Sequence, residues 1–147
     1  MKVEIKNRFS GSVQFIAEID ASFKAKSRSH QIGAAVKWGW LNGANMREAN
    51  LRGANLSEAN LWRADLEGAD LRETNLSGAN LEKANLRGVC LWRADLTYAN
   101  LFGANLWQAD LSESNLWQAD LLEANLSGAN VEKTFPSLSI GQLDNCV

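Results

Sequence analysis

The sequence predicts an all-β solenoid, and three observations predict it. Leucine recurs at every fifth position from Leu41 to Leu126, with Met46 as the one substitute and Val131 closing the run. Alanine stands two residues before nearly every one of them, and asparagine or aspartate one residue before, from Ala44-Asn45-Met46 to Ala129-Asn130-Val131 without insertion. A period of five also fits neither the ~3.6 residues of an amphipathic helix nor the ~3.5 of a coiled coil.

Local alternation does fit. Ala and Leu are two apart, so in an extended segment both point to one side. Three residues remain before the next Ala, enough for the chain to turn a corner. Each pentapeptide is then one short face plus one corner, and stacked coils bury a continuous Leu/Ala column that no single repeat could bury alone. Over eighteen triplets, the small position departs from Ala only at Thr74, Val89 and Ser114, and the polar position departs from Asn/Asp only at Cys90. Asn at every fifth position is poor for a helix and good for turns, which argues against a low-complexity Ala/Leu helix.

The charges favour four faces per coil. At a spacing of 20, Glu73, Arg93, Glu113 and Lys133 fall in one column and alternate in sign, as do Arg47, Glu67 and Arg87. Like charges meet only at Arg52/Arg72 and Arg63/Lys83, and no Asp of the repeat lies directly over another. Three faces would put Asp95 under Asp110.

The Ala-Asn/Asp-Leu-x-x pattern over residues 41–131 resembles the pentapeptide-repeat family. The resemblance implies a right-handed quadrilateral parallel β-helix with Leu and Ala inside. At about 4.8 Å between stacked strands the rod would be roughly 22 Å long. It also implies a bacterial or phage chain.

The elements follow in order. Residues 1–40 read as a cap, because the ends of a stacked rod carry unpaired backbone that needs covering. Val3 to Lys6 and Val13 to Ile19 read as strands around a Ser10-Gly11-Ser12 turn. Gln31 to Leu41 reads as a helix with Ile32, Ala35, Val36, Gly39 and Trp40 on its inner side, Trp38 and Trp40 sealing the first coil, and Gly43 as its stop. Residues 41–133 are the β-helix. Phe135-Pro136 breaks the repeat, and residues 134–147 read as a short C-terminal cap in which Ser139 starts a last helical turn through Gln142-Leu143.

Composition bounds the function. One domain of 147 residues with a formal charge of −2 has neither the basic excess of a nucleic-acid binder nor an acidic tail. No apolar run approaches the ~18 residues of a membrane span. No apolar leader is visible at the N-terminus, so a cytoplasmic location is expected. Cys90 and Cys146 are two lone thiols. His30 is the single histidine and has no second ligand at metal spacing. Gly43, Gly53, Gly68, Gly78 and Gly88 recur at multiples of five, as corner residues do, and form no phosphate loop. The expectation is therefore a chain without catalytic residues, cofactor or metal.

Two surface features remain. Trp62, Trp92, Trp107 and Trp117 each follow the central Leu and should face outward, with Tyr98 and Phe102. In the four-face register Trp62, Phe102 and Leu122 share one face and Tyr98 and Trp117 the next, a candidate contact patch. The same register puts Trp92 over Arg72 and Trp107 over Arg87, two cation–π stacks. The second feature is charge. Residues 1–40 carry seven Lys/Arg and three Asp/Glu, residues 44–93 seven of each, and residues 94–131 no Lys or Arg but five acids: Asp95, Asp110, Glu113, Asp120 and Glu123.

The primary expectation is a non-catalytic scaffold that binds a partner protein through its outward surface. The alternative comes from the family resemblance, in which some members mimic duplex DNA, dimerise end to end and modulate DNA gyrase. Asp95 to Glu123 would be the mimic surface here, with a homodimer through the C-terminal end lengthening it. A rod of roughly 22 Å alone matches only about six base pairs. Direct nucleic-acid binding by Lys2, Lys6, Arg8, Lys24, Lys26, Arg28 and Lys37 is not expected from scattered charges without a motif.

Overall fold

The computed structural model describes residues 1–136, so the expected last turn from Ser139 through Leu143 lies outside the described residues. Strands β1 (Lys2–Lys6) and β2 (Val13–Glu18) form an antiparallel hairpin. Its turn is tied by Asn7, whose Oδ1 accepts the backbone N–H groups of Phe9 and Ser10, both at 2.9 Å. A 3-10 helix, Ala21–Ala25, follows; it was not expected, and it is capped by Asp20, which accepts the Ser22 N–H at 2.7 Å. Helix α1 (Arg28–Leu41) starts three residues before the expected Gln31. It buries Gly33, Ala35, Val36 and Gly39, with Ile32, Trp38 and Trp40 partly buried against the same core.

From Asn50 onward the chain makes parallel bridges at a spacing of 20, from Asn50↔Asp70 through Asn85↔Asn105 to Asn115↔Phe135. Four pentapeptides therefore complete one coil. A typical rung joins Leu71 N to Cys90 O at 2.8 Å and Cys90 N to Ala69 O at 3.0 Å. These are single-residue bridges, and among the described residues longer strands lie only in the hairpin. The reason is the corner. In each pentapeptide a β-turn closes from Ala to the preceding Leu, as Ala54 N to Leu51 O at 3.0 Å, leaving too few residues for a longer strand.

The polar position has a defined task in that corner. Its side-chain oxygen accepts the N–H two residues on, as Asn80 does from Glu82 at 3.0 Å and Asp110 from Ser112 at 3.0 Å. The residue two after each central Leu has positive φ: Gly53 at 66° and Gly88 at 60°, but also Glu58 at 54°, Tyr98 at 59° and ten further non-Gly residues.

The interior is the Leu/Ala column. Leu51 through Leu111 are 0% exposed, and the small positions pack beside them. Thr74, Ser114 and Thr134 occupy small positions and are buried as well. Leu41 corrects the sequence reading: it is the last residue of α1 and 74% exposed, so the column begins at Met46. The repeat geometry also runs past residue 133, because Thr134 fills a small position and Phe135 bridges Asn115.

The cap covers the open edge of the first coil. Asn50 N donates to Lys6 O and Arg8 N to Glu48 O, both at 2.7 Å, and Asn55 N donates to Ser29 O at 3.1 Å. Helix α1 comes so close that a Cβ on Gly33 would lie 1.8 Å from the Asn55 carbonyl oxygen. That glycine is a contact requirement of the cap.

Candidate interaction surface

The outward aromatics follow from the turn: the residue after each central Leu cannot enter the column, so it lies on the face. Trp62 is 40% exposed and carries the Arg63 guanidinium 4.5 Å over its ring. Phe102 is half-buried, with Lys83 Nζ 6.0 Å from its centroid. Glu82 occupies the level between Trp62 and Phe102, so the two share a face without forming one patch.

Two of the lower members do come together. Tyr98 is 59% exposed, Trp117 45% and Leu122 57%. Tyr98 N donates to Trp117 O at 2.9 Å, which sets these two residues on adjacent coils at one corner, while Leu122, whose carbonyl accepts from Gly103 N at 2.9 Å, lies at the next corner. Phe135 joins them: its ring stacks on Trp117 at 5.8 Å between centroids and 19° between planes, while 61% exposed. The sequence reading treated Phe135 as a break. Its spacing of 20 from Asn115 was the signal that would have placed it.

Of the two expected cation–π stacks, Arg87 over Trp107 is present at 4.1 Å. The other is different: Trp92 is covered by Arg93 at 4.2 Å. Arg72 turns instead to Asp70, with Nε to Oδ1 at 2.8 Å and Nη2 to Oδ2 at 2.6 Å. Burial pushes the Asp70 carboxyl up, but the bonds and charge of Arg72 outweigh it and hold the group below its ordinary value. A buried carboxylate recruits the nearest guanidinium more strongly than an aromatic face does.

The acids of the far half are spread. Asp95 and Asp110 are half-buried and spend Oδ1 on their own corners, accepting from Thr97 N and Ser112 N at 3.0 Å. Asp120 does the same toward Leu122 N at 3.0 Å. Glu113 is bound by Arg93 at 2.7 Å, and that bond holds its carboxyl below the usual range. Glu123 sits at a positive-φ corner, 61°. Asp95, Asp110 and Asp120 lie in three different bridge columns and so make no single line of charge. The near half is ion-paired instead, with Arg47 to Glu67 at 2.8 Å and Arg52 to Glu73 at 2.6 Å.

Cys90 lies between Asp70 and Asp110 in its column. Burial, with both carboxylates adding, pushes its thiol up, which opposes thiolate reactivity. His30 is exposed and bonded through Nδ1 to Ser27 Oγ at 2.8 Å. Among the described residues no group of three or more His, Cys, Asp or Glu gathers as a metal site, and no helix is long and apolar enough to cross a membrane.

The family sequence model for pentapeptide repeats matches residues 41–72, 64–98 and 99–135, with 8 copies. The chain belongs to the pentapeptide-repeat family. Solved pentapeptide-repeat structures resemble it. One, from the Arabidopsis thaliana thylakoid lumen, is 31% identical at a TM-score of 0.56, covering 58% of this chain and 59% of its own. HetL of the cyanobacterium Nostoc, involved in heterocyst differentiation regulation, is 33% identical at 0.47, covering 60% of this chain and 49% of its own. Rfr23 of the cyanobacterium Cyanothece is 38% identical at 0.36, covering 58% of this chain and of its own. This pentapeptide-repeat chain thus spans about half to three-fifths of the length of these relatives. No curated protein matches it.

Proposed function

We propose that this pentapeptide-repeat chain is a non-catalytic scaffold that binds a partner protein through the corner formed by Tyr98, Trp117 and Phe135, with Leu122 on the adjoining face. The observation that carries the reading is the Trp117–Phe135 stack, which leaves two rings 45% and 61% exposed side by side. Exposed aromatics clustered at one corner are the residue types that dominate binding energy in protein interfaces. The rod behind them is the right-handed quadrilateral parallel β-helix of the family, a reading supported by four bridged pentapeptides per coil. Residues 1–41 are its cap and the repeats from Met46 to Phe135 its rod, and a homodimer through the C-terminal end is one form the contact takes. A cytoplasmic site of action belongs to the proposal, although a lumenal relative has the same repeat.

The test is photo-crosslinking in cells from position 122, with position 77 on the same rod as control. A discrete adduct from 122 that disappears with Trp117→Ala supports the corner. Equal labelling from both positions refutes it. Sedimentation of the purified protein tells a self-contact from a foreign partner.

The second reading is a DNA-mimic modulator of DNA gyrase, favoured by the absence of Lys and Arg across residues 94–131. The division of its acids among separate columns and the pairing of Glu113 count against it. Supercoiling inhibition that is lost in an Asp95/Asp110/Asp120→Asn triple variant would establish it over the corner.

A further inference from the structure

Where the cap meets the first coil, a cleft of ≈ 300 Å³ opens between Phe23, His30, Ala34, Lys37, Asn55 and Ser57. That volume is at the small end of the range for ligand pockets, ~300–1,000 Å³. Its walls are divided by chemistry. Phe23 of the 3-10 helix and Ala34 of α1 supply an apolar side, and both are packed in part against the core. Lys37, His30, Asn55 and Ser57 supply the polar side.

The hydrogen bonds show which polar group has capacity left. Asn55 Oδ1 is taken by the Ser57 N–H at 3.1 Å and the Ser57 hydroxyl at 2.8 Å. The Asn55 Nδ2 group therefore faces His30 Nε2, at 3.3 Å, and Nε2 must accept. His30 Nδ1 is engaged as well, hydrogen-bonded with Ser27 Oγ at 2.8 Å. Lys37 Nζ gives one bond, to the Ser57 carbonyl at 3.2 Å, and an ammonium has three donors. Two Lys37 donors are thus left over for an acceptor in the cleft.

The nearby charge is mostly basic, the acids being Asp20, which caps the 3-10 helix, and Glu58. None of the six lining residues is acidic. The first turn of α1 has no acidic residue to offset its positive end. Lys24 stands on the 3-10 helix, Arg28 on α1 and Lys26 on the link between them. Glu58, the nearest acid in sequence, extends toward the next coil, where its Cγ would lie 3.6 Å from a Cβ on Gly78.

We propose that this cleft binds a small carboxylate with a compact apolar body: the anion on Lys37, the body against Phe23 and Ala34. The site is on the opposite side of the rod's length from the aromatic corner and does not depend on it. A free small acid and the C-terminal carboxylate of a peptide share this chemistry.

Phenylacetate is the probe, with 2-phenylethanol as its uncharged counterpart, each titrated into the intact 15N-labelled protein. Phenylacetate is expected to shift the Lys37, His30 and Ser57 signals at about millimolar concentration. 2-Phenylethanol should bind about tenfold or more weakly, the loss expected for one charge-assisted hydrogen bond. Lys37→Met should lose the preference for the acid. Ala34→Leu, which fills the cleft and leaves every charge in place, should abolish binding of both probes while the signals of the coils stay unchanged. An acetylated dipeptide ending in a Phe carboxylate then separates the sources: tighter binding than phenylacetate assigns the site to a peptide terminus, weaker binding to a free acid. Equal affinity for the two probes, or unchanged phenylacetate binding in Lys37→Met or Ala34→Leu, would overturn the proposal.

Discussion

Leu86, Arg87 and Gly88 are consecutive, yet they belong to two regimes. Leu86 is 0% exposed in the column, while Arg87 and Gly88 are exposed at a corner. Inside, side-chain identity is restricted: the central position is Leu in nearly every repeat, and its neighbour is Ala or slightly larger. Outside, the backbone is restricted and the side chain is not. The positive-φ position accepts Gly, Glu, Arg, Lys, Gln and Tyr alike. A column of fixed width tolerates neither a larger nor a charged group, because close packing transmits the misfit to both stacked neighbours. A corner facing water asks only that φ be positive, at a cost of about 1 kcal/mol for a residue with a Cβ.

Substitutions along this contrast should fall in a steep order. Leu86→Asp should lose more than about 4 kcal/mol and unfold the coils, because it removes a buried Leu and leaves an unpaired carboxylate. Urea unfolding followed by far-UV circular dichroism would read it, and a cooperative transition near that of the parent would refute the inside assignment. Gly33→Ala comes next, since its Cβ cannot coexist with the Asn55 carbonyl oxygen at 1.8 Å. Loss of about 2–3 kcal/mol is expected, with early hydrogen exchange confined to the cap and first coil. If exchange rises evenly along the whole rod instead, the cap is not a separate docking unit.

Asp70 tests the ion pair between a buried carboxylate and Arg72, and the sign follows from its depressed carboxyl. Its contribution is complete above the unfolded carboxyl value of about 3.9 and is lost as pH falls through the lower folded value. Asp70→Asn should therefore cost stability at pH 7, about 1–2 kcal/mol for the lost charged hydrogen bonds. The difference from the parent should shrink below about pH 4. A gap that stays constant from pH 7 to pH 2 would contradict the pairing with Arg72. Gly88→Ala meets no atom within 4 Å but retains φ at 60°, so it should cost about 1 kcal/mol from backbone strain alone. Arg87→Ala should be the smallest, under about 0.5 kcal/mol, since it removes only the exposed stack on Trp107. If it damages the protein as much as Gly88→Ala, the corner side chains matter more than their backbone.

Much of this was legible beforehand. The column and the coil of four pentapeptides follow from periodicity, because a repeat states its own packing many times over, and the hairpin and helix of the cap follow from two strand-like runs around Ser10-Gly11-Ser12 and an apolar helical segment ending before Gly43. The Arg93–Glu113 pair and the Arg87–Trp107 stack followed from the same register. Leu41 was misread because periodicity alone cannot tell a repeat's first Leu from the last residue of a helix. The candidate patch was legible only in part. Trp117 and Tyr98 lie at one corner, whereas Leu122 lies at the next and Trp62 is separated from Phe102 by the Glu82 level. Phe135 reads as a break in the repeat because an aromatic replaces the polar residue there.

The sequence by itself determined the repeat geometry, since Ala and Leu at fixed spacing can be buried together in only one kind of stack. Which surface partners meet was decided only by the tertiary structure. Arg72 had Asp70 and Trp92 both within its reach in sequence terms, and only the buried carboxylate, 4% exposed, settles the choice. The cleft between Phe23, Lys37 and Ser57 is likewise invisible in the chain, because it exists only where a 3-10 helix, α1 and the first coil are brought together. Repeats fix what each unit does to its copies; contacts between unlike elements depend on distances that no period encodes.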